Sequence, residues 1–386
     1  MSNEVNPYVQ IPARWRDHLD RSRALLRESQ DPSGAWPASP GFAPYQFSWF
    51  RDGCFIAEGA DAAGLHAEAR RFHDWCANVL RREEAAVLRV VEALAAGQSP
   101  DDSSYLPARY RLDGTRQIDD WWNFQVDGYG TWLWGLERHL RRSGASVAPF
   151  ADSIEIAVRY LLATGRGTCR DWWEENREQT HVTTLAGVAA GLEAAVRMNT
   201  LDDELAAAAQ QGAEHARADI VRGGILDGHL VKWLGDTEVD ASLVAVAALY
   251  DAFTIDHPVV KETIAEVESR LVDGGVHRYE ADTFYGGGQW PVLASLLAWH
   301  HSRAGDLERA RELLDWVVST ADEQGLMPEQ VPPMLAPDRL KEWEERWGSC
   351  AHPLLWSHGM FLAAVDVYAS VYLGQREAAA PAPEVR

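Results

Sequence analysis

Hydrophobic residues recur at the spacing of an α-helix through most of the chain, and strand-like alternation is rare. Leu185, Val188, Leu192 and Val196, for example, share one face of a predicted helix. Segments rich in Pro and Gly, such as 31–40, separate the periodic stretches. The pattern predicts roughly eleven or twelve helices and no run of strands. The predicted helices cover about residues 11–29, 52–63, 67–96, 131–142, 152–163, 184–198, 202–221, 237–253, 258–271, 290–300, 307–320 and 357–372.

Two kinds of helix alternate in the second half of the chain. The segments 237–253 and 290–300 are apolar on nearly all sides, whereas 258–271 and 307–320 are amphipathic. A helix that is apolar all round is buried on both sides, while an amphipathic helix faces water on one. This alternation predicts an all-α fold, an (α/α)6 barrel with an inner and an outer ring. A helical solenoid is the second choice, but the sequence has no repeat of fixed period.

Composition and charge exclude several classes of partner. The 386 residues carry a net charge of −22, so neither nucleic acid nor an anionic membrane is an expected partner. The four cysteines are far apart and form neither a disulfide framework nor a zinc motif. The adjacent His300 and His301 point apart on a helix, and no nucleotide-binding glycine motif occurs. No metal and no cofactor are therefore predicted.

The ends of the chain differ in composition from its centre. Residues 1–10 are predicted to be a polar arm, 11–375 one helical barrel, and 376–386 a disordered tail. The first residues contain no apolar segment of the kind found in signal peptides, and no apolar run approaches the length of a membrane span. A cytoplasmic location is the expectation. A homo-oligomer stays open.

Aromatic and charged side chains concentrate in the long loops. The chain has 17 Trp, more than its 10 Phe or 11 Tyr, and many of them lie in loop segments. The long loops fall in alternate connections, so in a barrel they would meet at one end. They contain Tyr45, Trp49, Arg51 and Asp52; Trp121, Trp122, Asn123 and Gln125; Trp172, Trp173, Glu174 and Glu175; Arg278, Tyr279, Glu280, Asp282 and Trp290; and Glu329.

These residue types suit a sugar pocket, because aromatic rings stack on sugar faces and carboxylates bind hydroxyl groups or transfer protons. Glycoside hydrolysis needs two carboxyl groups, and Glu174 and Glu329 come from different loops. Simpler interpretations stay open for single motifs. Asp52 could merely cap a helix, and residues 171–181 could be an acidic turn beside core Trp residues. His181 and His358 lie near the predicted site without an assigned role.

Six segments, in this order along the chain, resemble the glucoamylase-like enzymes of glycoside hydrolase family 15. The resemblance spans about residues 45–358 and implies an (α/α)6 barrel. The matching segments are FSWFRDG (47–53), DDWWNFQVDGYGTWLW (119–134), DWWEE (171–175) with His181 downstream, DASL (240–243), VHRYEADTFYGGGQW (276–290), and MPEQV with LLWSH (327–331 and 354–358).

The resemblance also implies roles for individual residues. Glu174 falls where the family has its general acid, and Glu329 where it has its general base. Arg51, Asp52 and Arg278 match groups that hold the non-reducing-end glucose, and Glu175 matches a carboxylate near the leaving sugar. The remaining implied substrate-binding residues are the aromatic residues Tyr45, Trp49, Trp121, Trp122 and Trp173, together with Asp282 and Trp290 at the rim.

The sequence departs from the family pattern at two places. The first helix begins near residue 11, so we expect no β-sandwich domain before the barrel and no starch-binding module. A charged insertion over 331–350 follows Glu329. It either shapes the leaving-sugar side through Trp343 or Trp347, or it is an exposed helical turn.

The expected activity is exo-acting, inverting hydrolysis of short α-glucosides with release of β-D-glucose. The carbohydrate substrate is a small molecule. Isomaltose or isomalto-oligosaccharides are the first expectation, maltose-type substrates the second and trehalose the third. Another (α/α)6 activity, such as a sugar epimerase or a glucuronyl hydrolase, is an alternative within enzymes. A non-catalytic sugar-binding toroid is the alternative from another class.

Overall fold

Six helices form a closed inner ring in the computed structural model, which describes residues 11–117 and 119–379. Each inner helix packs against the next along the chain, and the last packs against the first, which closes the barrel. Most of their side chains are buried on every side. The inner helices are α2 (Phe50–Ala62), α4 (Asp127–Ser143), α6 (Val182–Met198), α8 (Val244–Ala248), α10 (Pro291–Ala304) and α13 (Leu355–Ala379).

Six amphipathic helices surround this ring, which confirms the predicted (α/α)6 barrel. Each of them buries one face against inner helices and exposes the other. The outer helices are α1 (Ala13–Ser29), α3 (His66–Ala95), α5 (Ala151–Thr164), α7 (Asp203–Gly223), α9 (Pro258–Leu271) and α11 (Leu307–Ser319). A further short helix, α12 (Leu340–Trp347), belongs to neither ring and lies within the predicted insertion.

Glycines let inner helices approach closely at two contacts of the ring. A Cβ added at Gly130 of α4 would lie 2.5 Å from the carbonyl oxygen of Gly187 in α6. Gly59 of α2 meets Gly359 of α13 in the same way. Because any side chain there would collide with the backbone of the facing helix, glycine is required at these contacts despite its low helix propensity.

Three predicted boundaries are wrong. The predicted helix 237–253 is a 3-10 turn, Ala241–Leu243, followed by the five-residue α8, since an extended segment precedes it and Asp251 has a positive φ of 48° after it. Helix α4 begins at Asp127 rather than at residue 131. The disordered tail was predicted from residue 376, whereas α13 continues to Ala379; residues 1–10 and 380–386 lie outside the described residues.

Strands are minor in the described part of the chain. They are the antiparallel pairs β1 (Ser48–Trp49) with β2 (Arg109–Tyr110), β3 (Ile225–Leu226) with β4 (His229–Leu230), and β5 (Val272–Asp273) with β6 (Gly275–Val276). They lie in the loops that enter inner helices, where they fix the path of the backbone.

The long loops gather at one end of the barrel, as predicted. Each connection from an outer helix to the next inner helix is long, such as 30–49 and 165–181. The returning connections are shorter, such as 63–65 and 305–306. The amino-terminal ends of the inner helices therefore face this loop cluster. Among the helices described, not one combines the length and the apolar character that crossing a bilayer requires.

Candidate active site

A cavity of about 370 Å³ opens within the loop cluster, and it contains the predicted pair of carboxyl groups. Twelve of the thirteen predicted site residues line it; the exception is Asp282. Those twelve are Tyr45, Trp49, Arg51, Asp52, Trp121, Trp122, Trp173, Glu174, Glu175, Arg278, Trp290 and Glu329. The fold thus brings together residues that lie almost 290 positions apart in the sequence, from Tyr45 to Glu329.

The buried floor of the cavity is built around Arg51, in the first turn of α2. Its guanidinium donates to Gln125 Oε1 at 2.7 Å and to Asp127 Oδ2 at 3.2 Å. Its Nε lies 3.3 Å from Asp52 Oδ2, and its charge lies 5.5 Å from the ring centre of Trp356. Gln125 and Asp127 therefore fix the guanidinium from behind, and Asp52 contributes a carboxylate to the floor.

A tight loop between α5 and α6 carries Glu174. Asp171 Oδ1 accepts the backbone N–H groups of Trp173 at 2.9 Å and of Glu175 at 2.8 Å. Glu174 and Asn176 both adopt left-handed backbone conformations, with φ of 68° and 51°. Such conformations are strained for residues other than glycine and persist only where the surroundings enforce them. The loop therefore has a strained backbone, and it directs the adjacent carboxyl groups of Glu174 and Glu175 toward the cavity.

A buried lysine holds this loop from below. Lys232 Nζ lies 3.8 Å from Asp171 Oδ2 and 3.3 Å from Asp240 Oδ2. Asp240 in turn accepts the indole N–H of Trp173 at 2.8 Å. The ammonium also lies 3.3 Å from the ring centre of Tyr279. One buried cation therefore pairs with both carboxylates that anchor the loop, and also with Glu238 at 3.6 Å.

Glu175 belongs to a second cluster of charges with Arg278. The guanidinium lies 3.3 Å from Glu175 Oε1, and the Tyr279 hydroxyl donates to Glu175 Oε2 at 2.5 Å. Asp282 was predicted to bind substrate at the rim, and this placement is wrong. Its side chain is buried behind Arg278 and accepts a hydrogen bond from Nε at 2.7 Å. Asp282 orients the arginine rather than lining the cavity.

Glu329 lies in the loop after α11 and is almost fully buried. The Tyr45 hydroxyl donates to its Oε1 at 2.9 Å, and the Cys350 thiol donates to its Oε2 at 3.2 Å. The ring of Tyr45 lies 5.6 Å from that of Trp49, whose indole N–H donates to Glu174 Oε1 at 2.6 Å. Two touching aromatic side chains thus hold the two candidate catalytic carboxyl groups.

Burial raises the pKa of the acidic groups in the cavity. It raises the pKa of Glu329 to about 7 and that of Asp52 to about 6. Burial also raises the pKa of Glu174, against the opposing effects of Arg51 and of hydrogen bonds. Because both candidate catalytic groups shift in the same direction, the pKa values do not distinguish acid from base.

Nine further residues line the cavity, and of these the sequence had named only Trp172, as a loop aromatic, and Trp343 or Trp347, as possible neighbours of the leaving sugar. The cavity is also lined by Ala38, Arg170, Trp172, Asn176, Phe284, Trp343, Trp347, Leu354 and Trp356. Trp172 and Trp356 lie within the segments DWWEE and LLWSH, which resemble family 15, so their sequence context was a usable signal. Cys350 had no such signal, since it is the last residue of the insertion and reaches Glu329 only through the fold.

Three other residues have partners away from the cavity. His181 contacts the carbonyl oxygens of Cys169 and Asn176, both at 3.0 Å. His358 Nε2 accepts the backbone N–H of Met327 at 2.9 Å. Both imidazoles therefore fix loops that lead into the site. Cys54 is fully buried in α2 and burial raises its pKa, so it is a small core residue.

The comparison with known families agrees with this geometry. The sequence model described as glycosyl hydrolases family 15 matches residues 19–366. The chain belongs to glycosyl hydrolase family 15. Family membership confirms the predicted enzyme class, a glycoside hydrolase, and counts against the non-catalytic sugar-binding toroid.

The relatives of this chain carry names that refer to different substrates. The isomaltose glucohydrolase of Kribbella flavida is 44% identical over 358 residues, which are 92% of this chain and 93% of that protein. The trehalase of Mycolicibacterium smegmatis is 26% identical over 83% of this chain, and the match covers 52% of the trehalase.

Solved structures agree with the barrel. A structure named as a wild-type glycosidase superposes with a TM-score of 0.90 at 44% identity, covering 92% of this chain and 97% of that one. A bacterial glucoamylase complexed with acarbose gives a TM-score of 0.75 at 19% identity, covering 95% of this chain and 56% of that one. At that identity the second comparison supports the fold alone.

Proposed function

We propose that this family 15 protein is an exo-acting, inverting α-glucosidase that releases β-D-glucose from the non-reducing end of short α-glucosides. Isomaltose and isomalto-oligosaccharides are the proposed substrates. The observation that carries the proposal is the cavity itself, in which Glu174 and Glu329 lie above a charged floor built on Arg51 and Asp52.

Unsatisfied polar groups around the cavity support a sugar ligand. Within the described residues, the buried indole N–H groups of Trp172, Trp290 and Trp356 have no hydrogen-bond partner, and Asp52 Oδ2, although it lies 3.3 Å from Arg51 Nε, accepts no hydrogen bond. Such groups are rare in folded proteins and call for an explanation. Hydroxyl groups of one glucosyl unit at the floor would satisfy both the donors and the acceptor. A floor that closes behind one unit accounts for exo action.

The proposed reaction uses the two carboxyl groups in different roles, assigned from the family resemblance. The protonated Glu174 donates its proton to the glycosidic oxygen as the bond from C1 to that oxygen breaks. The Glu329 carboxylate accepts a proton from a water molecule whose oxygen bonds to C1 from the opposite face. The glucose then carries the β configuration, and the leaving sugar departs with the proton from Glu174.

The aromatic and cationic neighbours fit these roles. Trp49 donates to Glu174 and Tyr45 donates to Glu329, so each carboxyl group is held in one orientation. Arg51 lies 3.9 Å from Glu174, at the inner side of the cavity where positive charge would balance the anion left after proton donation. Glu175 offers a carboxylate beside it for the leaving sugar, and Arg278, which pairs with Glu175, offers donors to the non-reducing-end glucose.

The proposed linkage preference rests on similarity. The Kribbella flavida relative is named for isomaltose and matches nearly the whole chain at 44% identity, whereas the trehalase of Mycolicibacterium smegmatis is matched over only 52% of its length. Initial rates on isomaltose, maltose and trehalose test the preference. A clear preference for maltose or trehalose would refute the α-1,6 assignment.

Amide substitutions test the catalytic roles. E174Q and E329Q should each lower kcat by about 10²–10⁴-fold, since each removes one proton-transfer group while keeping the side-chain volume. E178Q serves as the matched control, because Glu178 lies in the same loop but is exposed. Near-normal glucose release by either site variant would overturn its assigned role. NMR of the first product tests inversion, and initial α-glucose would contradict it.

A further inference from the structure

Helix α12 crosses the mouth of the cavity and joins its two sides through aromatic contacts. On one side Trp347 stacks on Trp121, with ring centres 5.6 Å apart and planes 25° from parallel. On the other side Trp343 meets Phe284 at 4.9 Å. Trp343 and Trp347 are themselves 5.2 Å apart. We name this continuous chain, which also includes Trp122 beside Trp347, the aromatic arch.

The arch is fixed to the protein by hydrogen bonds in the middle of α12 and at its C-terminal end. The indole N–H of Trp343 donates to the carbonyl oxygen of Thr283 at 2.9 Å. The hydroxyl of Tyr285 donates to the carbonyl oxygen of Gly348 at 2.9 Å. The helix thus has a defined seat on the loop that also carries Arg278 and Trp290, rather than hanging free in solvent.

The two faces of α12 differ in polarity: an aromatic face lines the cavity, and a charged face is exposed to solvent. Trp343 and Trp347 are four residues apart, share one face, and line the cavity. Lys341 and Glu345 lie on the opposite face, where they form an exposed ion pair at 3.5 Å. The apolar face therefore belongs to the cavity, which argues against the simpler interpretation of the insertion as an exposed acidic turn.

Burial orders the cavity from floor to mouth. Arg51 and Asp52 are buried at the floor, while Trp121, Trp122, Trp343 and Trp347 are partly exposed. With the non-reducing glucose at the floor and the scissile bond beside Glu174, the leaving sugar lies toward the arch. Any further unit of a longer chain must extend past it.

We propose that the aromatic arch is the chain-length determinant of this enzyme, stacking on the first leaving sugar and obstructing the units that follow. This inference rests on the proposed function, which supplies the orientation of the substrate. The enzyme is then a disaccharide hydrolase, and Trp343 and Trp347 are its specificity-determining residues.

The test compares kcat/KM for isomaltose and isomaltotetraose in the full-length wild-type protein and in W347A. Wild type should favour isomaltose by at least about tenfold. W347A should lose about two- to tenfold in kcat/KM for isomaltose, because one aromatic stacking contact is removed. Its preference for isomaltose over isomaltotetraose should narrow to about threefold or less. E345A, on the outer face of α12, should behave as wild type.

Two outcomes overturn the inference. One is a wild-type enzyme that cleaves isomaltotetraose as well as isomaltose, which would leave the proposed α-1,6 activity intact. The other is a folded W347A variant with an unchanged preference. If wild type cleaves only α-1,4 substrates, the proposed linkage fails, and maltose against maltotetraose gives the same test of the arch. If a thermal melt shows that W347A is not folded, the same measurements are made on W347L, because leucine keeps apolar bulk at this position but has no aromatic ring.

Discussion

The Cys350 thiol should tune the pH at which the enzyme becomes active. It donates to Glu329 Oε2 at 3.2 Å, while Tyr45 donates to the other oxygen. Both hydrogen bonds stabilise the ionised carboxylate and so lower its pKa, whereas burial raises it, leaving the pKa at about 7. The substitution C350A removes one of these donors and leaves the burial of Glu329 in place.

The size of the effect follows from the strength of the lost hydrogen bond. A hydrogen bond to a charged group contributes about 1.5–3 kcal/mol, and a thiol is a weak donor, so about 1 kcal/mol is a reasonable value here. One pH unit corresponds to about 1.4 kcal/mol, so the pKa of Glu329 should rise by roughly 0.5–1. The carboxylate becomes harder to form, and the shift is therefore upward.

The assay is kcat/KM for isomaltose measured from about pH 4.5 to 9, because this parameter reports the ionisation of the free enzyme. A general base acts when it is deprotonated. Because the proposed roles require Glu174 to stay protonated while Glu329 is ionised, wild-type activity should rise with pH through about 7, the pKa of Glu329, and fall only at higher pH as Glu174 loses its proton. In C350A the rising limb should move to higher pH, with a loss of about three- to tenfold at pH 6 and little loss on the plateau.

Two cysteine variants make the comparison specific. C350S retains a hydroxyl donor and should keep the rising limb at or below its wild-type position. C76A removes a thiol from the core of α3, far from Glu329, and should leave the profile unchanged. An unshifted limb in C350A, or one that moves to lower pH, would refute the reasoning.

Three further predictions concern stability and the acid. The carboxyl of Glu329 prefers its protonated form in the folded state, so wild-type stability should fall as pH rises from its ordinary pKa of 4.5 to about 7, by at most about 3 kcal/mol. E329Q should lack this loss, so its Tm should exceed that of wild type above pH 7. K232M leaves the buried carboxylates around Lys232 without their cation and should lower the free energy of unfolding by roughly 3–5 kcal/mol. Urea titrations measure this loss. K232R keeps a positive charge and should lose less stability. W49F removes the indole donor to Glu174 and so raises its pKa further, which should move the falling limb of kcat/KM to higher pH.

The alternation of apolar and amphipathic helices was sufficient to predict the barrel. It was insufficient for helix ends, and α8 shows why. Its surroundings are buried on all sides, so an apolar run continues through the turn and the segment after it. The helix starts late because Asp240 accepts the backbone N–H of Ser242 at 2.8 Å in a 3-10 turn. Hydrophobic periodicity carries no signal for such a local hydrogen bond.

Helix α4 shows the opposite error. The predicted start at residue 131 left Gly128 and Gly130 outside the helix, but both lie in its first turn. Their lack of a side chain serves the contact with neighbouring elements, since a Cβ at Gly128 would lie 3.1 Å from the backbone nitrogen of Arg51. The meaning of these glycines depends on which helix packs against them, and that information is absent from the local sequence.

The same distinction separates the site residues that were predictable from those that were not. Glu174 and Glu329 lie in recognisable motifs, so we expected both side chains to line the same cavity. The roles of Asp282 and Cys350 depend on contacts across the fold, one behind Arg278 and the other beside Glu329. The motifs thus predicted which loops meet at the site. The direction in which each side chain points within the loop cluster could be learned only from the packed structure.

The inner ring stabilises the fold, while the loops carry active-site residues that destabilise it. The raised pKa values of Glu174 and Glu329 and the left-handed backbone of Glu174 each destabilise the folded state, and both residues lie in loops. The inner helices are apolar and closely packed, so their burial stabilises the folded state and offsets the destabilisation that these loops cause. Since Glu174 and Glu329 come from different connections of one closed ring, their relative position depends on ring closure. Loosening a glycine contact, as in G130A between α4 and α6, should therefore reduce activity through geometry, although Gly130 is not a cavity-lining residue.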